Sequence, residues 1–381
     1  MDFAAITDIY KADSLFGRYI TLEDIEPLLL LDSRKGKVGT IGNSVEGRAL
    51  YSYTIGHGPF KILMWSQMHG NESTATKALF DLFDFFDSDA SAQSLLDAFT
   101  FCFVPMLNPD GALRYTRENA NSIDLNRDFI NFSQPESRAL ANLFESFRPD
   151  FSFNLHDQRS IFGVGETGEP ATLSFLAPAY NAEREINDTR KKAIEVIIAM
   201  NQSLQEIIPG KVGRFDDSFN PNCVGDNFQM KGCPTVLIES GHYPDDYNRE
   251  FCRKLTFQSI LAGIFQLNEI VVVDNVIEEY LIIPQNMMVF FDFGFKNVKI
   301  NYDGKELITN FVAQYKEELI ENKLFFNAYF ADSANCDVYF SHESYEAEGA
   351  LFQSESGLYP AVGEKANFML GNQRFENGKR I

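Results

Sequence analysis

The sequence predicts an α/β fold, a mostly parallel or mixed sheet with helices on both faces, followed by a smaller β-rich C-terminal module. Three observations carry that expectation. Between about residues 37 and 267, short apolar runs alternate with stretches of helical period, the pattern of strands joined by crossover helices. Three residues able to bind a metal or move a proton, His69, His156 and Glu239, each follow one of those apolar runs, and open α/β sheets keep their chemistry at strand ends. Beyond about residue 270 the texture changes to strand-like runs separated by turn residues.

In chain order, residues 1–34 read as a peripheral helical segment, with Thr21-Leu-Glu-Asp24 as a capping pattern ahead of Leu28 to Leu31. Strands are expected at 37–41 and 49–55, and the apolar run 60–68 is a buried strand. A helix over 73–87 places Ala75, Leu79, Leu82, Phe83 and Phe86 on one stripe. Residues 100–104 form a short buried strand. Pro135 begins another helix, with Leu140, Leu143, Phe144 and Phe147 inward. A strand over 151–155 ends at His156, a long helix covers 181–208, a strand over 235–238 ends at Glu239, and a last helix covers 246–267. The main domain is thus expected over 35–268. In the accessory module, 270–381, strands are expected at 270–273, 280–283, 287–293 and 298–302. Turns fall at Asp274-Asn275, Pro284-Gln285-Asn286 and Asp303-Gly304. One helix is expected at 306–322, and the polar tail from Glu346 is expected to be loosely ordered.

A chain of 381 residues, 45% hydrophobic and 14% aromatic, is long enough for one large core and a smaller unit. Its net charge of −21 disfavours nucleic acid and anionic membranes as partners. The cysteines at 102, 223, 233, 252 and 336 form no CxxC pair, which reads as free thiols in a reducing compartment. The start, MDFAAITDIYKAD, lacks the basic and apolar regions of a signal peptide. No run approaches 18 apolar residues. The expectations are a cytoplasmic protein with no membrane partner. Nothing in the sequence fixes the oligomeric state.

The chemistry centres on His69-Gly-Asn-Glu72, at a strand end in the turn that opens a helix. His and Glu in so tight a turn reach one ion together. A catalytic zinc takes three protein ligands and keeps a fourth position for water, and His156 completes such a set. A base that is not a ligand is still needed. Glu239 follows four apolar strand residues, so desolvation is expected to raise its pKa toward a useful value. Asn108-Pro-Asp-Gly111, Arg117 and Asp124-Leu-Asn-Arg-Asp128 lie between the ligands. Two arginines near a zinc suit a substrate with one anion that develops another. One forms a bidentate fork on a carboxylate and the other stabilises an oxyanion.

Taken together, Ile41-Gly-Asn-Ser-Val-Glu-Gly-Arg48, His69-Gly-Asn-Glu72, Asn108-Pro-Asp-Gly111, Arg117, Asp124-Leu-Asn-Arg127, His156 and Glu239 resemble the zinc carboxypeptidase (M14-type) family, in its order and over roughly residues 37–267. The resemblance implies one zinc per chain, with His69, Glu72 and His156 as ligands. It also implies that Arg117 polarises the carbonyl, that Asn126 and Arg127 grip the substrate's terminal carboxylate, and that Glu239 is the general base. The substrate would be a peptide or acyl-amino acid with a free carboxylate. Two departures bear on substrate choice. Residues 205–238 contain no Tyr where carboxypeptidases of this type carry a mobile one, and Phe215 or Phe219 stands in that region. Only 83 residues separate Glu72 from His156, nearer the related deacylases of N-acyl amino acids, of the succinylglutamate desuccinylase and aspartoacylase kind. A carboxypeptidase is the leading reading. A deacylase is the alternative within enzymes, and a non-catalytic binding protein the alternative outside them.

The remaining polar residues have plainer expectations. His57 is a turn residue and His342 is unrelated to the site. Arg114 reads as a surface cation, with a third site cation as the alternative. Arg159, three residues after His156, either reads an acidic substrate group or stands outside the site, and His242 either backs the site or faces solvent. Asp226 is either a turn residue or part of the pocket for the substrate side chain.

Overall fold

The computed structural model describes residues 3–269, 275–332 and 339–381. The chain divides into two compact units. One comprises Met1–Gln158 with Ala171–Asn286, and the other Arg159–Pro170 with Met287–Ile381.

The first unit opens with helices α1 (Phe3–Ile9) and α2 (Leu22–Leu29) and strands β1 (Lys37–Asn43), β2 (Ala49–Gly56) and β3 (Phe60–Trp65). Helices α3 (Thr74–Ser88) and α4 (Ala92–Ala98), strand β4 (Phe99–Val104) and helices α5 (Pro109–Arg114) and α6 (Pro135–Phe147) follow, then β5 (Phe151–Asp157). Strand β6 (Phe162–Val164) belongs to the second unit. The first unit resumes with β7 (Leu173–Leu176), α7 (Asp188–Gln205), β8 (Val212–Arg214), α8 (Val224–Met230), β9 (Thr235–Ser240), α9 (Glu250–Glu269) and α10 (Val276–Ile282). Its eight-stranded sheet runs β1-β2-β4-β3-β5-β9-β7-β8. The central pairs β4/β3, β3/β5 and β5/β9 are parallel, while β1/β2, β2/β4 and β7/β9 are antiparallel. This is the mixed α/β sheet the sequence predicts.

Period-two alternation distributes the strands between two cores. Ile62, Met64, Phe101, Phe103, Phe151, Phe153, Leu155, Val236 and Ile238 pack with α3, α7 and α9. Their neighbours Leu63, Trp65, Cys102 and Val104 face the other way, toward Leu140, Phe144, Val224 and Phe228 of α6 and α8. His156 and Glu239 follow core residues of the first face and so point to the second.

The second unit holds β6, β10 (Asn286–Met288), β11 (Phe290–Tyr302), β12 (Lys305–Ile320), β13 (Lys323–Asp332), β14 (Phe340–Glu346), β15 (Phe352–Gln353), β16 (Phe368–Leu370), β17 (Gln373–Glu376) and β18 (Lys379–Arg380). They form sheets ordered β10-β6, β13-β12-β11-β14 and β15-β16-β17-β18. The C-terminal part is β-rich, as expected, but several local expectations fail. Residues 306–322 are not a helix, because β12 pairs along its length with β11 and β13. Tyr280–Ile283 is not a strand. Val276 and Tyr280, four apart, bury one face of α10, and Glu278 and Glu279 occupy its first turn, where acidic side chains suit the helix dipole. The strands expected at 287–293 and 298–302 are largely one, β11, interrupted by a register shift between Phe295 and Val298. The tail beyond Glu346 is ordered as β15 to β18. The strand expected at 270–273 lies outside the described residues.

Candidate metal centre

The loop after β3 carries His69 and Glu72, and close backbone contact shapes it. A Cβ on Gly70 would lie 2.0 Å from the Gly111 carbonyl carbon, and one on Gly111 would meet Asn108 Nδ2 at 2.4 Å. Only glycine at both positions lets the two motifs touch. Asn108 Oδ1 accepts from Gly111 N at 2.9 Å, capping α5, and its Nδ2 donates to the Met68 carbonyl at 3.2 Å. Buried Gln67 takes φ +47, a left-handed conformation rare outside glycine. Its Nε2 donates to the Ile20 and Gly70 carbonyls at 2.8 and 2.9 Å. The Glu72 amide closes the turn on the His69 carbonyl at 3.0 Å.

His69, Glu72 and His156 then converge. His69 Nδ1 lies 2.9 Å from Glu72 Oε1, His156 Nδ1 2.8 Å from Glu72 Oε2, and the two Nδ1 atoms 3.1 Å apart. All three residues are buried. Two imidazole nitrogens and a carboxylate facing one point are the donor set zinc takes, and they form a group that could hold a metal ion. Zn–N bonds of about 2.0–2.1 Å in a tetrahedron put ligand atoms about 3.4 Å apart. The cluster fits after an outward movement of a few tenths of an ångström. Asp124 Oδ1, 3.0 Å from His69 Nε2, favours the proton on Nε2 and leaves the Nδ1 lone pair inward, the usual support for a metal-binding histidine. His156 Nε2 is buried with no partner among the described residues.

Electrostatics follow from that packing. Burial works to lower the His69 pKa, but the Glu72 and Asp124 carboxylates outweigh it and raise it. Burial dominates at His156 and lowers its pKa. Burial alone would raise Glu72, yet the two imidazoles hold it well below the ordinary range. The Glu239 carboxyl is raised well above its ordinary value, first by burial and then by the Glu72 and Asp157 charges. In the β5/β9 ladder His156 stands opposite Glu239, so adjacent strands present the two residues side by side on one face.

Arg117 donates from Nη1 to Glu72 Oε1 at 3.2 Å and from Nε to Asp124 Oδ2 at 3.1 Å. Asp124 also caps the single 3-10 turn Leu125–Arg127, accepting from Asn126 N at 2.8 Å. Asn126 Oδ1 accepts from Val224 N at 2.9 Å. Arg127 is exposed, with Nη1 3.2 Å from Cys223 Sγ. Asp226, on α8, is buried, and burial pushes its carboxyl up to about 7. His242 is buried against Tyr247 rather than solvent-facing. His57 is exposed beside Asp97, Arg114 pairs with Glu46 at the surface, and Arg159 and His342 belong to the second unit. Sequence reasoning misses Asp124 and Gln67 as individual residues. Asp124 stands inside a motif that the sequence singles out, whereas Gln67 carries no signal beyond a polar residue at the end of an apolar run.

A mixed α/β sheet with a buried His-Glu-His cluster at its strand ends defines a metallohydrolase type of architecture. Residues 30–211, a little under half of the chain, match the family model described as zinc carboxypeptidase, the M14 metallopeptidases, and the chain is similar to that family. Over 296 residues it is 30% identical to carboxypeptidase SOL1 of Arabidopsis thaliana, a match covering 65% of this chain and 57% of that protein. The chain thus spans little more than half of that relative's length. A metallo-carboxypeptidase from Burkholderia cenocepacia is similar in fold, with a TM-score of 0.52 at 18% identity over 66% of this chain and 69% of that one. Carboxypeptidase A from Helicoverpa armigera has a TM-score of 0.51 at 17% identity over 68% of this chain and 78% of that one. No described helix is long and apolar enough to cross a membrane.

Proposed function

We propose that the chain is a zinc-dependent carboxypeptidase that hydrolyses an amide bond next to a free carboxylate. The observation that carries this reading is the convergence of His69, Glu72 and His156 beside Glu239. A zinc ion held by His69, Glu72 and His156 would supply a Lewis acid, a water of lowered pKa and a positive charge that favours the ionised form of Glu239. Glu239 takes a proton from the attacking water and returns it to the leaving amine nitrogen. Arg117, already anchored by Glu72 and Asp124, directs its guanidinium to the developing oxyanion. Arg127 and the Asn126 NH2 group hold the substrate carboxylate and fix register. With no Tyr in 205–238, Arg117 carries oxyanion stabilisation without a tyrosine hydroxyl from that segment. The second unit, residues 159–170 with 287–381, is accessory, since it carries none of these residues.

The test is one peptide with its C-terminal carboxylate free or amidated. Strong preference for the free acid supports the proposal. Equal turnover would contradict it and point to an endo-acting amidase. The short Glu72–His156 spacing and the missing Tyr favour a second reading, a deacylase of N-acyl amino acids. Faster turnover of N-acetyl or N-succinyl amino acids than of dipeptides would select it.

A further inference from the structure

We infer that Arg249 is a positioning residue for the reaction, its guanidinium fixing the separation of the two strand ends that carry His156 and Glu239. The inference rests on the roles proposed above for those two residues. Arg249 is 1% exposed. Its Nη2 donates to the Gln158 carbonyl at 2.8 Å and its Nη1 to the Ser240 carbonyl. Gln158 stands two residues after His156, and Ser240 one after Glu239. The β5/β9 ladder ends with Asp157 opposite Ser240, followed by a last bond from Gln158 N to the Ser240 carbonyl at 2.9 Å. Arg249 extends the tie between the strands where the ladder runs out. A planar guanidinium holds two acceptors in fixed relation, which a lysine ammonium cannot do.

Two further observations separate this arrangement from ordinary core packing. Among the described residues no carboxylate pairs directly with Arg249, because both bonds from its side chain go to main-chain carbonyls. A buried charge of this kind is costly, and an apolar side chain of similar volume would pack without that cost. The fork is also rigidly mounted. Asp246 accepts from the amides of Glu250, Phe251 and Cys252 at 2.8, 2.9 and 3.0 Å. The Arg249 amide bonds the Asp246 carbonyl at 3.1 Å. Arg249 itself takes φ +59, a left-handed conformation that a non-glycine residue keeps only where its surroundings over-determine it.

The experiment compares zinc-loaded Arg249→Met and Arg249→Lys with wild type and with Glu239→Gln as reference. It reads kcat and KM on a free-acid peptide, the rate of zinc release to a chelator, and Tm. Arg249→Met is expected to lower kcat on the order of a hundredfold, the cost of about 1 Å of misplacement. KM should stay within about twofold, and zinc should leave faster. Arg249→Lys, which keeps the charge and one donor, should recover part of kcat. Wild-type kcat and zinc release in folded Arg249→Met would overturn the inference, as would a deficit that vanishes on normalising to folded protein. If the Met variant does not fold, the Lys variant decides: reduced kcat at near-wild-type Tm supports the inference, and unchanged kcat overturns it. Should Glu239→Gln turn over like wild type, the role given to Glu239 is what fails. Zinc release then tests Arg249 without turnover.

Discussion

Glu72 shows how little each residue of the site does alone. Its two oxygens face two different imidazoles, its first oxygen also meets Arg117, and its second accepts from the Asp157 amide at 3.1 Å. That crowding keeps a buried carboxylate ionised. The sequence singled out His69, His156 and Glu239 because each follows an apolar run, with Glu72 in the turn after His69, but it did not show Asp124 turning His69 or Gly70 pressed on Gly111. Those depend on segments brought together from far apart in the chain. Arg127 is exposed, so the proposed bond from it to a substrate carboxylate would be solvated until substrate covers it. Arg127→Ala should cost about 2 kcal/mol, roughly thirtyfold in kcat/KM on free-acid substrates, in the usual range for a hydrogen bond to a charged group. It should have little effect on amidated ones. Equal loss on both would contradict the assignment. Asp226 offers a pH test. Its carboxyl is raised to about 7 by burial, against about 3.9 in an unfolded chain, so the folded state holds a proton that the unfolded state releases first. The associated stability is complete below about pH 4 and is lost as pH rises through about 7. Asp226→Asn should flatten the fall in denaturant midpoint between pH 5 and 8. A slope equal to wild type would show that Asp226 does not carry that dependence.

At the scale of elements, the loop that carries His69 and Glu72 is held from behind by the segment between α1 and α2. Ser73 Oγ donates to the Arg18 carbonyl at 2.6 Å and Gln67 Nε2 to the Ile20 carbonyl at 2.8 Å. That segment is held in turn by Arg253, which donates to the Leu15 and Ala12 carbonyls at 2.6 and 3.0 Å and pairs with Asp81 at 2.5 Å. Asp81 also accepts from Ala12 N at 2.8 Å. Arg253→Met should lower stability by about 3–5 kcal/mol, the usual result of breaking a buried pair from one side, read as a fall in Tm. Asp81→Leu combined with Arg253→Met should recover much of the loss. A single mutant with wild-type Tm would contradict the clamp. In the first unit, β3, β4, β5 and β9 and the helices α3, α6 and α9 were legible because apolar runs or helical periodicity mark them, whereas the short elements α4, α8, β7 and β8 were not foreseen and α10 was expected as a strand. The region 306–322 misled for the opposite reason. Its Glu, Lys and Leu residues favour a helix only weakly, and pairing with β11 over its first half and β13 over its second outweighs that preference.

For the whole molecule, the fold and the family resemblance follow from the order of a few motifs along a mixed sheet, whereas the proposed reaction depends on one cluster within it. In the proposed function, His69, Glu72 and His156 hold one zinc, and Glu239 works beside it without being a ligand. Zinc content per chain, measured on wild type, His156→Ala and Glu239→Gln with kcat determined on the same samples, tests that division most directly. Wild type should carry about one zinc, and His156→Ala should lose most of its metal and its activity together. Glu239→Gln should keep its metal while kcat falls at least about a hundredfold, the usual size of a general-base effect. Full zinc occupancy in His156→Ala, or undiminished kcat in Glu239→Gln, would contradict the account.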